Sequence, residues 1–242
     1  MHATIQKPFG EILEMLTSED CVFIIGCGNC AKKCQSGGEP EVAAMKERLE
    51  KVGKIVTGTF VPSGTCSLSE VSELVNQNQA AVDAADSILV LSCGQGVHCV
   101  VDATSKVVYP GCNTIFGGET LKPGDVREYC QLCGECIIDA YGGLCPLTLC
   151  AKGLLNGACG GAKEGKCEAD PERDCGWELI YQRLKAIGKL DNLYKYVGPK
   201  DYQMTNKPRT LTVTDGVAVF RFGGRTYSPN ELQGEREAVV SR

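Results

Sequence analysis

The residues best suited to chemistry are cysteines, of which the chain has sixteen. Cys27, Cys30 and Cys34 follow one another at C-x2-C-x3-C spacing in the glycine-rich segment 26–34. Thiolates at such spacing bind metals, and the N–H groups of a short glycine-rich turn can donate hydrogen bonds to cluster sulfurs. We therefore predict that these three thiols ligate an iron–sulfur cluster.

A fourth ligand must come from elsewhere in the chain. Cys93 closes a predicted strand and is the preferred candidate, and Cys66, which follows the preceding predicted strand, is the second. Cys99 and Cys112 are weaker candidates. Cys21 begins a strand, at the edge away from the triplet, and is better explained as a small buried residue.

The same segment allows another interpretation, because Gly26, Gly28 and Ala31 fit the dinucleotide-binding pattern G-x-G-x-x-A. The next predicted strand, however, ends at Val61-Pro62-Ser63, with no acidic residue to hold a ribose. We therefore predict that this loop binds a metal centre and not a dinucleotide.

A second group of eight cysteines begins with a C-x2-C-x2-C run and ends in widely spaced single residues. Its members are Cys130, Cys133, Cys136, Cys145, Cys150, Cys159, Cys167 and Cys175. The first four, with Pro146 after Cys145, resemble the C-x2-C-x2-C…C-P run of bacterial ferredoxins, although the last gap is longer. Eight thiols can hold two [4Fe–4S] clusters, or one cluster and a zinc ion in a four-thiolate site. For the whole chain we expect two clusters, with enough thiols for three.

Composition excludes several function classes. A net charge of -5 argues against a nucleic-acid partner, since such proteins present a basic face. No apolar stretch approaches the ~20 residues that span a bilayer, so no membrane association is expected. The N-terminus has no apolar signal segment, which predicts a cytoplasmic protein with reduced, metal-binding thiols. The sequence also lacks a Walker A loop, a G-x-S-x-G elbow and an H-E-x-x-H motif.

The secondary-structure elements around Cys27, Cys30 and Cys34 are predicted to form an α/β domain. Strands are predicted at 21–26, 54–61, 87–92 and 106–109. A helix at 8–16 precedes the first strand, and helices at 41–52 and 67–85 lie between the first three strands. This alternation predicts a parallel sheet of Rossmann-like or flavodoxin-like type. Loops after parallel strands share the carboxyl edge of the sheet. Cys66, Cys93 and Cys112, which follow the second, third and fourth predicted strands, can therefore converge there on Cys27, Cys30 and Cys34.

Three domains are predicted: an α/β domain over 1–122, a cysteine-rich iron–sulfur domain over 123–198, and an extension over 199–242. The second is loop-rich, because it lacks clear periodicity until an amphipathic helix at 177–187, and its metal centres are expected to organise it. The extension contains a β-hairpin, Leu211–Phe220, around the turn Asp215-Gly216.

Four stretches carry a family resemblance. They are Cys130-Gln-Leu-Cys133-Gly-Glu-Cys136, the run from Gly143-Leu-Cys145-Pro146 to Cys159-Gly-Gly, Gly165-Lys-Cys167-Glu, and Asp174-Cys175-Gly-Trp177-Glu-Leu-Ile-Tyr181. Together they resemble the C-terminal domain of methylenetetrahydrofolate reductase, and the loop from Gly26 to Cys34 is similar to that family as well. A separate chain of this size resembles the small iron–sulfur subunit of the acetogen-type two-subunit reductase.

The resemblance implies a redox role without catalysis of its own. The small subunit would pass electrons, from ferredoxin or another donor, to a large subunit carrying FMN or FAD. That partner would reduce 5,10-methylene-tetrahydrofolate to 5-methyl-tetrahydrofolate. The resemblance implies ligand roles for Cys27, Cys30, Cys34, Cys66 and Cys93, and for all eight cysteines from Cys130 to Cys175. The alternatives are a zinc-stabilised assembly module and a stand-alone enzyme that binds a corrinoid or folate.

Overall fold

The computed structural model describes residues 1–200, 202–205, 207–214, 217–222 and 225–227. Two compact units divide the chain, Met1–Tyr129 and a second unit that begins at Cys130. Within the described residues, every helix is too short or too polar to cross a lipid bilayer.

The first unit contains seven strands and six helices. The strands are β1 (His2–Gln6), β2 (Cys21–Ile25), β3 (Ile55–Phe60), β4 (Ser87–Val90), β5 (Val107–Pro110), β6 (Cys112–Lys122) and β7 (Asp125–Glu128). The helices are α1 (Phe9–Met15), α2 (Cys30–Lys33), α3 (Glu39–Lys51), α4 (Leu68–Gln77), α5 (Gln79–Asp83) and α6 (Gly94–Ala103).

A four-stranded parallel sheet forms the centre of this unit, in the order β3-β2-β4-β5. Counted along the chain, its parallel strands follow the order 2-1-3-4, as in flavodoxin-like folds. The predicted α/β class with a parallel sheet is confirmed. The order reverses between β2 and β4, and ligands of such sheets bind outside the carboxyl ends of strands at this switch point.

Apolar side chains alternate along β2 and fill a core on each face of the sheet. Val22 and Ile24 pack with α1 and α3, whereas Phe23 and Ile25 pack with α4, α5 and α6. Strands buried on both faces are the pattern that a parallel sheet covered by helices requires. The result is a helix–sheet–helix sandwich that holds the ends of β2 and β4 rigidly.

A second sheet of this unit, absent from the sequence prediction, has the antiparallel order β1-β6-β7. Gln6 pairs with Cys112, at the point where the chain leaves the parallel sheet. Strand β1 also packs on α2, the short helix that carries Cys30. This sheet therefore forms a wall beside the first cysteine loop.

The second unit has little regular structure before its main helix. Its elements are α7 (Pro146–Leu149), β8 (Lys166–Cys167), β9 (Asp170–Asp174), α8 (Gly176–Ala186), β10 (Arg209–Thr214), β11 (Val217–Phe222) and β12 (Arg225–Tyr227), with 3-10 turns at Ile138–Tyr141, Leu190–Tyr194 and Tyr202–Thr205. Strands β10 and β11 pair antiparallel. The predicted turn residues, Asp215 and Gly216, lie outside the described residues.

A small core holds this unit together. Tyr141, Cys175, Trp177, Ile180 and Leu184 are its buried members, and three of them lie on α8. This is the helix that the sequence places at 177–187. The apolar core is much smaller than the two cores of the first unit, which leaves a large share of the stabilisation to other interactions.

Candidate metal centres

The first cysteine loop leaves β2 at the switch point of the parallel sheet. The N–H of Cys27 donates to the carbonyl of Gly37 at 2.7 Å, and the N–H of Gly28 donates to the carbonyl of Pro62 at 2.8 Å. The loop is thus tied to the segment after β3 as well as to its own far end. These bonds fix the backbone before any ligand is bound.

Two glycines allow this close approach. A Cβ atom at Gly26 would lie 2.5 Å from the carbonyl oxygen of Gly37, and a Cβ atom at Gly37 would lie 1.9 Å from the carbonyl oxygen of Leu91. Both distances are far below van der Waals contact with rigid backbone. The need for glycine here therefore comes from backbone packing of the loop against the sheet edge, with no dinucleotide required.

The sulfur of Cys27 sits among hydrogen-bond donors. Burial raises the pKa of this thiol, whereas hydrogen bonds to the sulfur lower it. The donors are the backbone and side chain of Thr65 and the N–H groups of Asn29 and Ala31. The hydrogen bonds prevail, so the pKa of Cys27 lies below its ordinary value and the thiolate needed for metal ligation is favoured.

Cys93 lies at the start of α6, directly after β4. It is the N-cap residue of that helix, and its side chain is 5% exposed. The pKa of Cys93 is raised overall, mainly by burial and further by negative charge on the thiols of Cys30 and Cys27. Hydrogen bonds from the N–H groups of Gly96 and Gln95 offset part of this increase. The helix N-terminus thus directs two donors at a sulfur that is close to two members of the triplet.

Cys34 and Cys112 lie along the wall formed by the sheet β1-β6-β7, in which Cys112 is the first residue of β6. The sulfur of Cys34 is 3.9 Å from the carbonyl oxygen of His2, and the sulfur of Cys112 is 3.4 Å from that of Ser36. Burial raises the pKa of Cys112 to about 12, and the neighbouring thiols of Cys27, Cys34 and Cys93 add to the increase. Cys112, a weaker candidate from the sequence, is therefore close to three of the predicted ligands.

Cys66 is placed differently from the other predicted ligands of this unit. Its side chain is exposed, and its thiol charge contributes to raising the pKa of Cys99, after burial as the main cause. Cys21 lies at the amino end of β2, where its N–H donates to the carboxylate of Asp86 at 2.8 Å. The structure therefore brings Cys27, Cys30, Cys34 and Cys93 together, with Cys112 beside them.

In the second unit, the loop from Cys130 to Cys136 is a tight turn in which a backbone N–H faces a cysteine sulfur. The N–H of Leu132 donates to the sulfur of Cys130 at 3.4 Å. Leu132 has φ 57° and Gly134 has φ 81°, both in the left-handed region, which leucine rarely adopts. The sulfur of Cys133 lies 3.3 Å from the carbonyl oxygen of Glu135. This strained backbone directs an N–H at a cysteine sulfur.

Three further cysteines stand at the ends of the helices of this unit. Cys145 and Cys150 flank α7, and Cys175 is the N-cap residue of α8. The two helices meet closely, because a Cβ atom at Gly176 would lie 2.5 Å from the carbonyl oxygen of Leu149 and 2.8 Å from the nitrogen of Cys150. Cys150 and Cys175 therefore belong to one neighbourhood.

Cys159 repeats the arrangement found at Cys130. The N–H of Gly161 donates to its sulfur at 3.4 Å. This hydrogen bond is the main cause that lowers the pKa of Cys159, and the charge of Lys152 lowers it further. Lys152 is also paired with Glu168, the residue after Cys167. The Cys159 and Cys167 loops are thereby linked through one lysine.

The chemistry of the cysteines in both units fits a metal centre that is bound by thiolates. All sixteen cysteines are free, and cysteine sulfur selects zinc, copper(I) or iron–sulfur clusters over magnesium and calcium. Within the described part of the chain, no three His, Cys, Asp or Glu side chains lie close enough to hold a single metal ion. A cluster makes a different demand, because each thiolate binds its own iron atom.

The second unit also contains a cavity that the sequence analysis missed. Its volume is about 370 Å³, and Tyr141, Trp177, Tyr181 and Lys195 are among its lining residues. The polar atoms of the Trp177 and Tyr141 side chains already have hydrogen-bond partners. The indole N–H of Trp177 donates to the carbonyl of Leu154 at 3.2 Å, and the hydroxyl of Tyr141 donates to the carbonyl of Leu155 at 2.6 Å. The sequence signal that could have indicated this cavity is the i, i+4 spacing of Trp177 and Tyr181, which places two large aromatic side chains on one face of α8.

Comparison with known proteins bears on most of the described second unit and on the last strands of the first. Residues 109–203, about two fifths of the chain, match the family model described as methylene-tetrahydrofolate reductase C terminal. No curated protein and no solved structure matches the chain significantly. The matched region includes all eight cysteines from Cys130 to Cys175. The chain therefore contains a region related to methylenetetrahydrofolate reductase, as its motifs predicted.

Proposed function

We propose that this chain is the iron–sulfur, electron-transfer subunit of a methylenetetrahydrofolate reductase. One observation carries the proposal: the region similar to the reductase family includes the eight free cysteines from Cys130 to Cys175, and two of their sulfurs accept backbone N–H bonds. N–H groups directed at thiolates are what protein loops use to stabilise clusters and set their potentials. A region with many thiols and donors suits electron relay better than substrate binding.

In the first unit, Cys27, Cys30 and Cys34 would hold one side of a [4Fe–4S] centre. The proximity of Cys93 to Cys27 and Cys30 supports it as the fourth ligand, ahead of the exposed Cys66. Their backbone donors lower the cost of keeping negative sulfur in a buried place. A cluster bound here supplies one-electron transfer.

In the second unit, the eight cysteines suffice for two centres. Cys130, Cys133, Cys136 and Cys145 form the ferredoxin-like set, in which the cysteine before Pro146 can serve either centre. The other four are Cys150, Cys159, Cys167 and Cys175. They suit a second cluster, and a zinc ion is the alternative occupant because zinc also favours four thiolates.

A redox subunit needs a partner that performs the chemistry. We propose a larger subunit with FMN or FAD that reduces 5,10-methylene-tetrahydrofolate to 5-methyl-tetrahydrofolate. Electrons would reach this chain from ferredoxin or another donor. The chain's own residues then bind the centres, exclude water from the buried thiols of Cys27 and Cys93, and fix the path between donor and flavin.

The test is anaerobic purification of the full chain, followed by quantification of iron, acid-labile sulfide and zinc, with EPR of the reduced protein. We expect iron and sulfide in equal amounts and a reduced-cluster signal. Cys133→Ser should lower both, whereas Cys21→Ser, far from the candidate ligands along β2, should leave them unchanged. Absence of iron and sulfide from the wild-type chain overturns the proposal, and zinc without sulfide favours the assembly module instead.

A second measurement addresses electron transfer itself. The dithionite-reduced chain, freed of excess reductant, is mixed with the oxidised flavin subunit, and flavin absorption is followed. Bleaching that requires the intact centres supports the proposal. Equal flavin reduction by wild type and by a cluster-free cysteine variant contradicts it.

A further inference from the structure

Lys200 is an unusual side chain in the second unit. It is 7% exposed, and among the described residues it is the only charged side chain that is buried. Lysine is almost never buried without compensation, because an ammonium loses its hydration and requires an acceptor or a negative charge in return. The surroundings of its Nζ atom therefore indicate what this charge is for.

The Nζ atom of Lys200 donates a hydrogen bond to the carbonyl oxygen of Glu135. Glu135 lies between Cys133 and Cys136, inside the C-x2-C-x2-C loop. The sulfur of Cys133 is 3.3 Å from the same oxygen. One carbonyl thus has the ammonium and a candidate ligand sulfur as its immediate neighbours.

The segment that carries Lys200 is also attached to the next cysteine loop. The side chain of Asn156 donates to the carbonyl of Val197 at 2.8 Å and accepts from the N–H of Val197 at 2.8 Å. Asn156 lies between Cys150 and Cys159. Residues 197–200 therefore bridge two cysteine loops, with the positive charge at the end nearer to Cys133.

A buried cation at this place has a direct electrostatic consequence. Each ligating thiolate adds a negative charge to the centre. A nearby ammonium that is itself withdrawn from solvent stabilises the more negative state, because water screens its charge less than that of an exposed lysine. Reduction makes a centre more negative by one electron. A cation beside it favours the reduced form and so raises the reduction potential.

We propose that Lys200 is a positioning residue for the centre held by the Cys130–Cys136 loop: its buried ammonium stabilises that thiolate centre and raises its potential. This inference rests on the proposed function, because it assumes that the loop binds an iron–sulfur cluster. Lys200 acts through the carbonyl of Glu135 and its own charge, without ligating the metal.

Three substitutions separate charge from packing and hydrogen bonding. Lys200→Arg keeps the positive charge, Lys200→Gln keeps an N–H donor without the charge, and Lys200→Met keeps most of the apolar stem. Lys189→Met is the matched control, since Lys189 is an exposed lysine of the same unit. For each purified full chain, iron, sulfide and the midpoint potential are measured, the last by EPR-monitored titration.

We expect Lys200→Gln and Lys200→Met to lower the equilibrium constant for reduction of this centre about tenfold, which is about 59 mV for a one-electron couple. Lys200→Arg should stay close to wild type, and Lys189→Met should match it. If removal of the charge prevents cluster retention, loss of iron in the Gln and Met variants with retention in the Arg variant supports the same conclusion.

Equal behaviour of the Arg, Gln and Met variants, in potential or in iron content, overturns the inference, because a purely structural lysine would give that result. The proposed function fails separately. A wild-type chain without iron and sulfide contradicts the electron-transfer role, whereas a wild-type chain with clusters whose potentials ignore the charge at position 200 contradicts only the role of Lys200.

Discussion

The indole ring of Trp177 meets the ring of Tyr141 edge-on, with centroids 5.4 Å apart and ring planes at 83°. Edge-to-face pairs of this kind stabilise cores beyond their buried area. Here the pair connects the first turn of α8 to the 3-10 turn Ile138–Tyr141, which lies between Cys136 and Cys145. The chain has one tryptophan, so this contact is visible to fluorescence.

Removal of metal should open the second unit and leave the first folded. The buried core around Trp177 is small, and metal ligation contributes folding free energy directly in such loop-rich domains. After anaerobic treatment with ferricyanide and EDTA, we expect the Trp177 emission to move to longer wavelength as the ring becomes hydrated. The parallel sheet of the first unit should persist in far-ultraviolet circular dichroism.

The control for this experiment is reconstitution with iron and sulfide, which should restore the original emission. An emission spectrum that does not change on complete metal removal would mean that the core of Tyr141, Trp177 and Ile180 holds the unit without metal.

Substitution of single cysteines should distinguish ligands from neighbours in the first unit. Cys93→Ser should lower iron and sulfide by the content of one centre, because Cys93 is the proposed fourth ligand and lies near the thiols of Cys27 and Cys30. Cys112→Ser should lower them less, since its hydroxyl can still donate to the carbonyl of Ser36 and its thiol, with a pKa of about 12, is poorly ionised. Iron and sulfide per chain are the measurements.

Cys21→Ser serves as the control for these variants, because Cys21 lies at the amino end of β2. Equal iron loss in Cys112→Ser and Cys93→Ser would identify Cys112 as a ligand and remove the preference for Cys93.

Substitution of Gly37 should disrupt the first centre without touching a cysteine. The new Cβ atom of Gly37→Ala would lie 1.9 Å from the carbonyl oxygen of Leu91, so the loop must move away from the sheet edge. We expect a loss of about 1–3 kcal/mol in the free energy of unfolding and lower iron content. Denaturant unfolding and metal analysis measure the two effects.

Gly10→Ala is the matched control for Gly37→Ala. Nothing lies within 4 Å of a Cβ atom at Gly10, which is in α1, so alanine should be neutral or stabilising by up to about 1 kcal/mol. Full iron content and unchanged stability in Gly37→Ala would refute the close packing described here.

Air should attack the second unit first. Cys130, Cys136 and Cys159 are exposed, whereas Cys27 and Cys93 are buried, and oxidation follows thiolate access. We expect the EPR signals assigned to the second unit, through the cysteine variants, to decay before that of the first unit during timed exposure to air. Simultaneous loss of all signals, or earlier loss of the first-unit signal, would contradict this order.

The alternating elements of the first unit could be predicted because their signals are local. Ile24, Leu89 and their neighbours form short apolar runs, and Val42, Met45 and Leu49 repeat at helical spacing. Helix α6 escaped prediction because Gly94 and Gly96 lower helix propensity in its first turn. Its existence explains why Cys93 has N–H donors, a property that spacing alone does not reveal.

The sheet β1-β6-β7 escaped prediction for a different reason. Its central pairing joins His2–Gln6 to Cys112–Lys122, and no short-range pattern specifies partners so far apart in sequence. The position of Cys112 depends on this pairing. The sequence places Cys112 just beyond the fourth parallel strand, at the edge where Cys34 is expected. The fold shows in addition that Cys112 begins β6 and that its sulfur lies 3.4 Å from the carbonyl oxygen of Ser36.

The pairing of β1 with β6 also has a consequence for biosynthesis. The ribosome makes β1 and the Cys27–Cys34 loop early, and β6 only after the four parallel strands and their helices have been made. Until β6, which begins at Cys112, has left the ribosome, the sheet β1-β6-β7 beside this loop is incomplete. The cysteine loop therefore stays open on this side during synthesis until β6 aligns with β1.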